Sequence, residues 1–414
     1  MGFARTVLIK GMITPTEASG FGRGFFIFRP LLELKIRRIW TMENMWFQAA
    51  LWMGLALIAT LLSVRIAISI ALLEIIVGVI GGNFLPLQRT EWINFLAGFG
   101  SILLTFLAGA EVDPEVMKKK FKESMTIGVL SFLAPFLGVM AYAYYIAGWS
   151  LPESQIAGIA LSTTSVAVIY SVMIESGYNE TELGKIIIAA TFITDLGTVL
   201  ALGILFANYN WYMVLFIAVM GITLLLLPKF TPWFFRKVGS RISEPETKFI
   251  FFLLFGLGGL SLMAKSEAVL PAYLVGMVLA PFFLANKTLS HRMRVTAFTM
   301  LTPFYFLKAG SLVKLSAVWS GALLIGIFLL LKMAAKFIGI WPTMKVFRFT
   351  KKENMYTTLL MSTGLTFGSI SALFGYTNKI INQEQYTVLL TAVILSAVVP
   401  TIIAQKWFQP EMKK

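Results

Sequence analysis

The 414-residue chain contains no cysteine, which excludes disulfides, iron–sulfur clusters, thiolate zinc sites and cysteine nucleophiles. Histidine occurs once, at His291, too little for a histidine metal site or a serine–histidine triad. Charge is scarce: 13% of the residues are charged, against roughly 25% in a soluble globular domain. What fills the sequence instead is apolar. Hydrophobic residues make up 57% of the chain and the mean hydropathy is +0.80, so the expected fold class is an all-α integral membrane protein. The charges that remain are unbalanced, 35 Lys and Arg against 20 Asp and Glu. In a membrane protein such an excess reports topology rather than a nucleic-acid partner.

A helix needs about 20 mainly apolar residues to cross the hydrocarbon core. Thirteen stretches qualify, at approximately 46–64, 66–85, 92–110, 125–148, 154–174, 183–207, 211–228, 249–264, 268–285, 297–313, 318–340, 355–376 and 385–405. Taken alternately, the loops and tail on one side carry Arg65, Lys118, Lys119, Lys120, Lys122, Lys185, Lys229, Arg236, Lys237, Arg241, Lys248, Lys287, Arg292, Arg294, Lys345, Arg348, Lys351, Lys352, Lys406, Lys413 and Lys414, and the loops on the other only Arg89, Lys265, Lys314 and Lys379. Cytoplasmic loops are enriched in Lys and Arg, so the C-terminus is expected in the cytoplasm and the first span is expected to start outside. Residues 1–41 break this scheme, because Arg5, Lys10, Arg23, Arg29, Lys35, Arg37 and Arg38 would all lie outside. They are expected to form an N-terminal extension ahead of a transmembrane region 42–414, which has an ordinary start at Met42.

Membrane transporters are often built from two inverted halves. Phe106-Leu107-Ala108-Gly109-Ala110 and Phe306-Leu307-Lys308-Ala309-Gly310 stand 200 positions apart, as do Leu161-Ser162-Thr163-Thr164 and Met361-Ser362-Thr363-Gly364. This offset maps the first six spans onto the last six, with 211–228 as connector, and an odd total requires the halves to be inverted. The fifth and twelfth spans are each interrupted by small hydroxyl residues, Ser162-Thr163-Thr164-Ser165 and Ser362-Thr363-Gly364-Leu365-Thr366. Matching interruptions predict two unwound helices crossing near the membrane midplane.

Ionisable residues within the spans cost on the order of 3 kcal/mol each at mid-bilayer, so each calls for a function. Asp195 stands mid-span with Thr191, Thr194 and Thr198 beside it; a lone carboxylate among hydroxyls suits a proton or a desolvated Na⁺ or K⁺. Lys336, with Lys332 one turn away, is a candidate counter-charge. Lys308, Glu74 and Glu111 are less readily placed; Glu74 is a candidate partner for one of the lysines. His291 lies in a basic loop, where a solvated role is expected.

Three segments resemble the Kef/Nap-type branch of the monovalent cation:proton antiporter superfamily, membrane domain only: residues Leu103–Asp113, Ala160–Val168 and Ala189–Asp195, together with the segment around Lys336. The resemblance implies a homodimer with a dimerisation part (about 46–110 and 249–313), a mobile core (about 125–207 and 318–405) and a linker helix at 211–228. It also implies that Asp195 is the essential acid beside the broken helices. Electrogenic relatives carry two consecutive acids there, whereas this chain has Thr194 in the first position. The expected activity is therefore electroneutral exchange of one Na⁺ or K⁺ for one H⁺. Asp195 would be the shared group, with oxygens from Thr194, Thr191, Thr163, Thr164, Ser165 and Thr366, in the multi-pass setting of a prokaryotic cell membrane. No organic cofactor, enzymatic activity or nucleic-acid partner is expected. A sodium-coupled solute symporter of the same architecture is the alternative.

Overall fold

In the computed structural model, the residues described are 45–66, 69–85, 87–112, 120–175, 178, 181–206, 211–239, 241–264 and 268–410. The extension expected at 1–41 lies outside them. Residues 49–414 form one compact unit, and 45–48 belong with the N-terminal segment. The described residues contain helices and no β-strand. In chain order these are α1 (Met45–Ile66), α2 (Ile70–Phe84), α3 (Glu91–Ala110), α4 (Phe121–Tyr145), α5 (Leu151–Ser162), α6 (Val166–Glu175), α7 (Glu182–Leu205), α8 (Trp211–Val238), α9 (Pro245–Met263), α10 (Val269–Ala285), α11 (Lys287–Thr296), α12 (Thr302–Ser311), α13 (Leu315–Ser320), α14 (Ala322–Val346), α15 (Lys351–Met361), α16 (Thr366–Thr377) and α17 (Gln383–Ile403). A π-helical turn, Ala297–Leu301, leads into α12.

Among the described residues nine helical segments are long and apolar enough to cross a membrane, and α2 and α10 are shorter apolar helices. The other expected crossings fall on α5 with α6, an interrupted pair, and on α12 with its π-helical turn. The protein is a multi-pass membrane protein.

The halves repeat in detail. α5 begins with a capping box, Ser150 with Glu153, and 200 positions later α15 begins with another, Thr350 with Glu353. Each satisfies helix N–H groups that have no partner within the helix. α7 starts at Thr181, whose hydroxyl accepts from Gly184 N; α17 starts at Asn382, whose side chain accepts from Gln385 N. The packing repeats as well. Gly276 of α10 lies against the Phe106 carbonyl of α3, and Gly310 of α12 lies against the Ile75 carbonyl of α2, so close that a Cβ would sit 2.1 and 2.0 Å from those oxygens. Glycine is required at both crossings because backbone meets backbone, as is usual where membrane helices pack tightly.

Both interruptions have a local cause. Ser162 and Thr163 turn their hydroxyls back to the carbonyls of Ile159 and Ala160, and Ser362 and Thr363 do the same to Thr358 and Leu360. Such hydroxyls compete with the main chain for its acceptors. α5 therefore stops after 12 residues and α15 after 11.

Candidate functional site

Asp195 sits on α7 with no solvent exposure (0%). Neither carboxyl oxygen has a hydrogen-bond partner, and no cationic group of the described residues is within ion-pair distance. A buried polar group left in this state is rare and costly. A carboxylate so placed suits a bound proton or cation.

The two breaks meet beside α7. Thr164 donates to the Met361 carbonyl at 2.9 Å, and a Cβ on Gly364 would stand 2.8 Å from the Thr163 hydroxyl. Thr191, one turn before Asp195, donates to the Ile187 carbonyl at 2.8 Å and lies 3.5 Å from the Met361 sulfur. Ser165 uses its backbone N–H toward the Thr363 hydroxyl at 3.5 Å. Thr366 opens α16, and its carbonyl accepts from Ser369 at 2.9 Å. Thr194 faces the other way, donating to Ala190 at 3.0 Å and to the Gly128 carbonyl of α4 at 3.3 Å. Thr191, Thr163 and Thr194 each place their proton on a helix carbonyl, so what their oxygens have left to offer is lone pairs, the hard ligands an alkali cation takes.

The lysines divide. Lys336 of α14 donates to Ser131 of α4 at 2.7 Å and to Thr164 at 2.9 Å. It is in Coulombic range of Asp195 without forming an ion pair. Lys332 serves the second break: its ammonium donates to Ser396 of α17 at 3.0 Å and lies where a Cβ on Gly364 would meet it at 2.2 Å. Both lysines are fully buried.

Three candidates lie elsewhere. Lys308 lines a separate cavity of about 480 Å³ bounded by Phe95, Phe99, Tyr305 and Phe374. Glu111 is ion-paired with Arg294 at 2.8 Å. Glu74 is buried on α2, and among the described residues it forms no ion pair with Lys308, Lys332 or Lys336; the latter two donate instead to hydroxyls around the breaks. His291 belongs to α11 rather than to a loop.

Sequence reasoning missed Ser131, Ser396 and Tyr273. Tyr273 of α10 donates to the Phe192 carbonyl at 3.0 Å, three residues before Asp195, and its ring packs edge-on against Phe367 of α16. Isolated serines and tyrosines in apolar helices carry no periodic signal; only the tertiary approach gives them partners.

An inverted repeat with two crossing interruptions beside a buried, unpaired carboxylate is a transporter's architecture, and comparison with known proteins agrees. Residues 53–409 match the family described as sodium/hydrogen exchanger, transmembrane. The chain belongs to that family. This exchanger is 24% identical over 357 residues to the probable Na(+)/H(+) antiporter 3 of Methanocaldococcus jannaschii, covering 84% of this chain and 91% of that protein. It is also 24% identical over 370 residues to a Na(+)/H(+) antiporter of Enterococcus hirae, covering 83% and 92%. Its fold is similar to that of the sodium proton antiporter MjNhaP1 from M. jannaschii at pH 8, with a TM-score of 0.65 over 86% of this chain and 94% of that one at 14% identity. Matching an exchanger family favours antiport over solute symport, and the symport alternative is dropped. The match is to the exchanger family as a whole and does not single out a branch within it.

Proposed function

We propose that the protein exchanges a monovalent cation for a proton across the membrane, with Asp195 as the group both ions share. The observation that carries this reading is a fully buried carboxylate with both oxygens unpartnered. A bare carboxylate would meet a large desolvation cost on passing through an apolar surround. A proton or a cation removes that cost, and protonation abolishes the charge that attracts the cation. One ion therefore displaces the other, and only the loaded site moves.

Na⁺ comes first as the cation because the relatives are named for it; K⁺ meets the same oxygens. The cation is held by Asp195 with oxygens from Thr191, Thr163, Thr164, Ser165 and Thr366, whereas Thr194, turned toward α4, is not among the ligands; Lys336 is the counter-charge of the unloaded site and Lys332 supports the second break. Exchange is one for one and electroneutral, since Thr194 brings a hydroxyl bonded to its own helix where a second acid would be needed.

In this reading the chain crosses a prokaryotic cell membrane thirteen times with its C-terminus in the cytoplasm. It pairs as a homodimer through 46–110 and 249–313, and it moves 125–207 with 318–405 as the core. The linker role of α8 is supported by its surface position, with only 17% of its apolar window buried. The test is proton flux driven by Na⁺, K⁺ or Li⁺ in proteoliposomes, with and without a clamped potential. Flux independent of potential and lost in Asp195→Asn is the expected result; exchange persisting in that variant removes Asp195 from the mechanism.

A further inference from the structure

Lys308 is a cation within the apolar bundle that the exchange site does not use. It stands on α12, and its counterpart 200 positions earlier in the repeat is Ala108, so the frame of the two halves does not require a charge there. Among the described residues its ammonium has neither an ion pair nor a hydrogen-bond acceptor. A charge kept among membrane helices is costly and by default marks a function. The lysine lines a cavity of about 480 Å³ between α3, α9, α10, α12 and α16. The walls are the first turns of α3 from Asn94, the last turns of α9 to Leu262 and the last turns of α16 to Thr377, so the cavity lies at the end of the bundle that the proposed topology puts outside.

Phenyl rings face this space: Phe95 stacks on Phe255, Phe99 packs tilted against the same ring, and Phe374 lies on the α16 side. Two glycines keep it open, because a Cβ on Gly98 of α3 or on Gly259 of α9 would meet nothing within 4 Å. Apolar walls, a few converging polar groups and a volume of about 300–1,000 Å³ are the marks of a small-molecule site. No acid lines the cavity. Of its polar groups, the Tyr305 hydroxyl is given to Ser369 at 3.2 Å and the Asn94 amide reaches the Arg89 carbonyl only at 3.5 Å. Arg89 is in Coulombic range of Lys308 and adds positive potential. The charges therefore favour an anion, and the rings favour an apolar body attached to it; a charge-assisted bond to a free ammonium is among the stronger single contacts available.

We propose that the cavity binds a soluble amphipathic organic anion, its charged head on the Lys308 ammonium and its alkyl or aryl body among Phe95, Phe99 and Phe374, and that the bound anion slows exchange. α3, α9, α10 and α12 belong to the part read above as static and α16 to the part read as the moving core, so an occupant bridges the two. The slowing rests on that reading; the binding does not.

The test is equilibrium binding of labelled decanesulfonate to the full-length protein in phosphatidylcholine nanodiscs, with empty nanodiscs as background, beside Na⁺-driven proton flux in proteoliposomes. A sulfonate stays charged and so carries no proton across the bilayer by itself. Decanesulfonate is expected to bind saturably and to reduce flux severalfold. Decanol, which lacks the charge, and methanesulfonate, which lacks the chain, are expected to do neither. Lys308→Met keeps the bulk and removes the charge, and is expected to bind about tenfold more weakly, one charge-assisted hydrogen bond being worth that factor. Gly98→Leu fills the open space and is expected to reduce binding severalfold without lowering the melting temperature; Gly259→Leu makes the same test from the opposite wall should the first variant fold poorly. Flux with the probe is divided by flux without it in each variant, so that a change in basal exchange does not count. Equal effects of decanol, or binding unaltered by Lys308→Met or by a folded glycine variant, overturn the site. Loss of dimer in Gly98→Leu with decanesulfonate binding unchanged does the same, since it makes a second copy of the chain the occupant. Binding that leaves flux untouched overturns the bridging of wall and core. A wild type without flux in the absence of any probe counts against the exchange reading alone, because the binding arm reads the site by itself.

Discussion

The interruptions at 162–166 and 361–366 each follow a helix begun by a capping box, and each is approached by one buried lysine. Lys336 meets the first through Thr164 with Asp195 in Coulombic range, whereas Lys332 meets the second through Ser396 and has no carboxylate as an ion-pair partner. The caps of α7 and α17, Thr181 and Asn382, stand 201 positions apart, which puts Ser396, the acceptor of Lys332, at the position of Asp195. Duplication therefore accounts for the frame, and the carboxylate is what the second half lacks. Two equivalent breaks with one acid between them suggest that the breaks shape the site and the acid alone carries the exchanged charge.

Substitutions at the acid, the lysines and the breaks separate those roles. The largest effect is expected from Asp195→Asn, which should reduce cation-driven proton flux to the level of protein-free liposomes. Retained flux would show that the halves share the chemistry after all.

Next, Lys336→Met and Lys332→Met should differ. Lys336→Met removes the one cation in Coulombic range of the buried Asp195, so it is expected to slow exchange by roughly tenfold or more. It should also lower the half-saturating cation concentration, because a positive neighbour no longer opposes the cation. Lys332→Met loses a hydrogen bond worth about 1–3 kcal/mol and should lower the melting temperature while leaving exchange within a few-fold. Paired flux and melting measurements distinguish the two, and equal loss of flux would collapse the distinction.

A smaller effect is expected at Gly364, where a Cβ meets the Lys332 nitrogen at 2.2 Å. Gly364→Ala should destabilise by about 1–3 kcal/mol through overpacking, while Gly98→Ala, with nothing within 4 Å, should melt like the wild type. Smallest of all, Thr164→Val should cost about 1 kcal/mol more than Thr363→Val, since Thr164 accepts from the Lys336 ammonium at 2.9 Å where Thr363 accepts only a long bond, 3.5 Å, from the Ser165 N–H. Melting curves of the pair test the order.

Thr194→Asp sharpens the comparison from the other side. Thr194 faces Gly128, one turn from the Ser131 that receives Lys336, so a carboxylate there can capture that lysine. Exchange in this variant is expected to respond to membrane potential, measured as flux with and without a clamp.

Much of this was legible in the chain before any packing was known. Apolar runs, the hydroxyl clusters at the breaks and the cost of Asp195 in lipid-level surroundings are properties of single residues and their spacing, because the bilayer excludes charge and unpaired backbone wherever they occur. Partners were not legible. Lys332 and Lys336 share a helix four residues apart and serve different breaks; Glu111 belongs to Arg294, and Thr194 turns toward α4. Those choices depend on tight helix crossings that bring residues 64 to 205 positions apart in sequence within hydrogen-bond reach. A sequence states which groups must find a partner, and only the close approach of whole helices decides which partner each one finds.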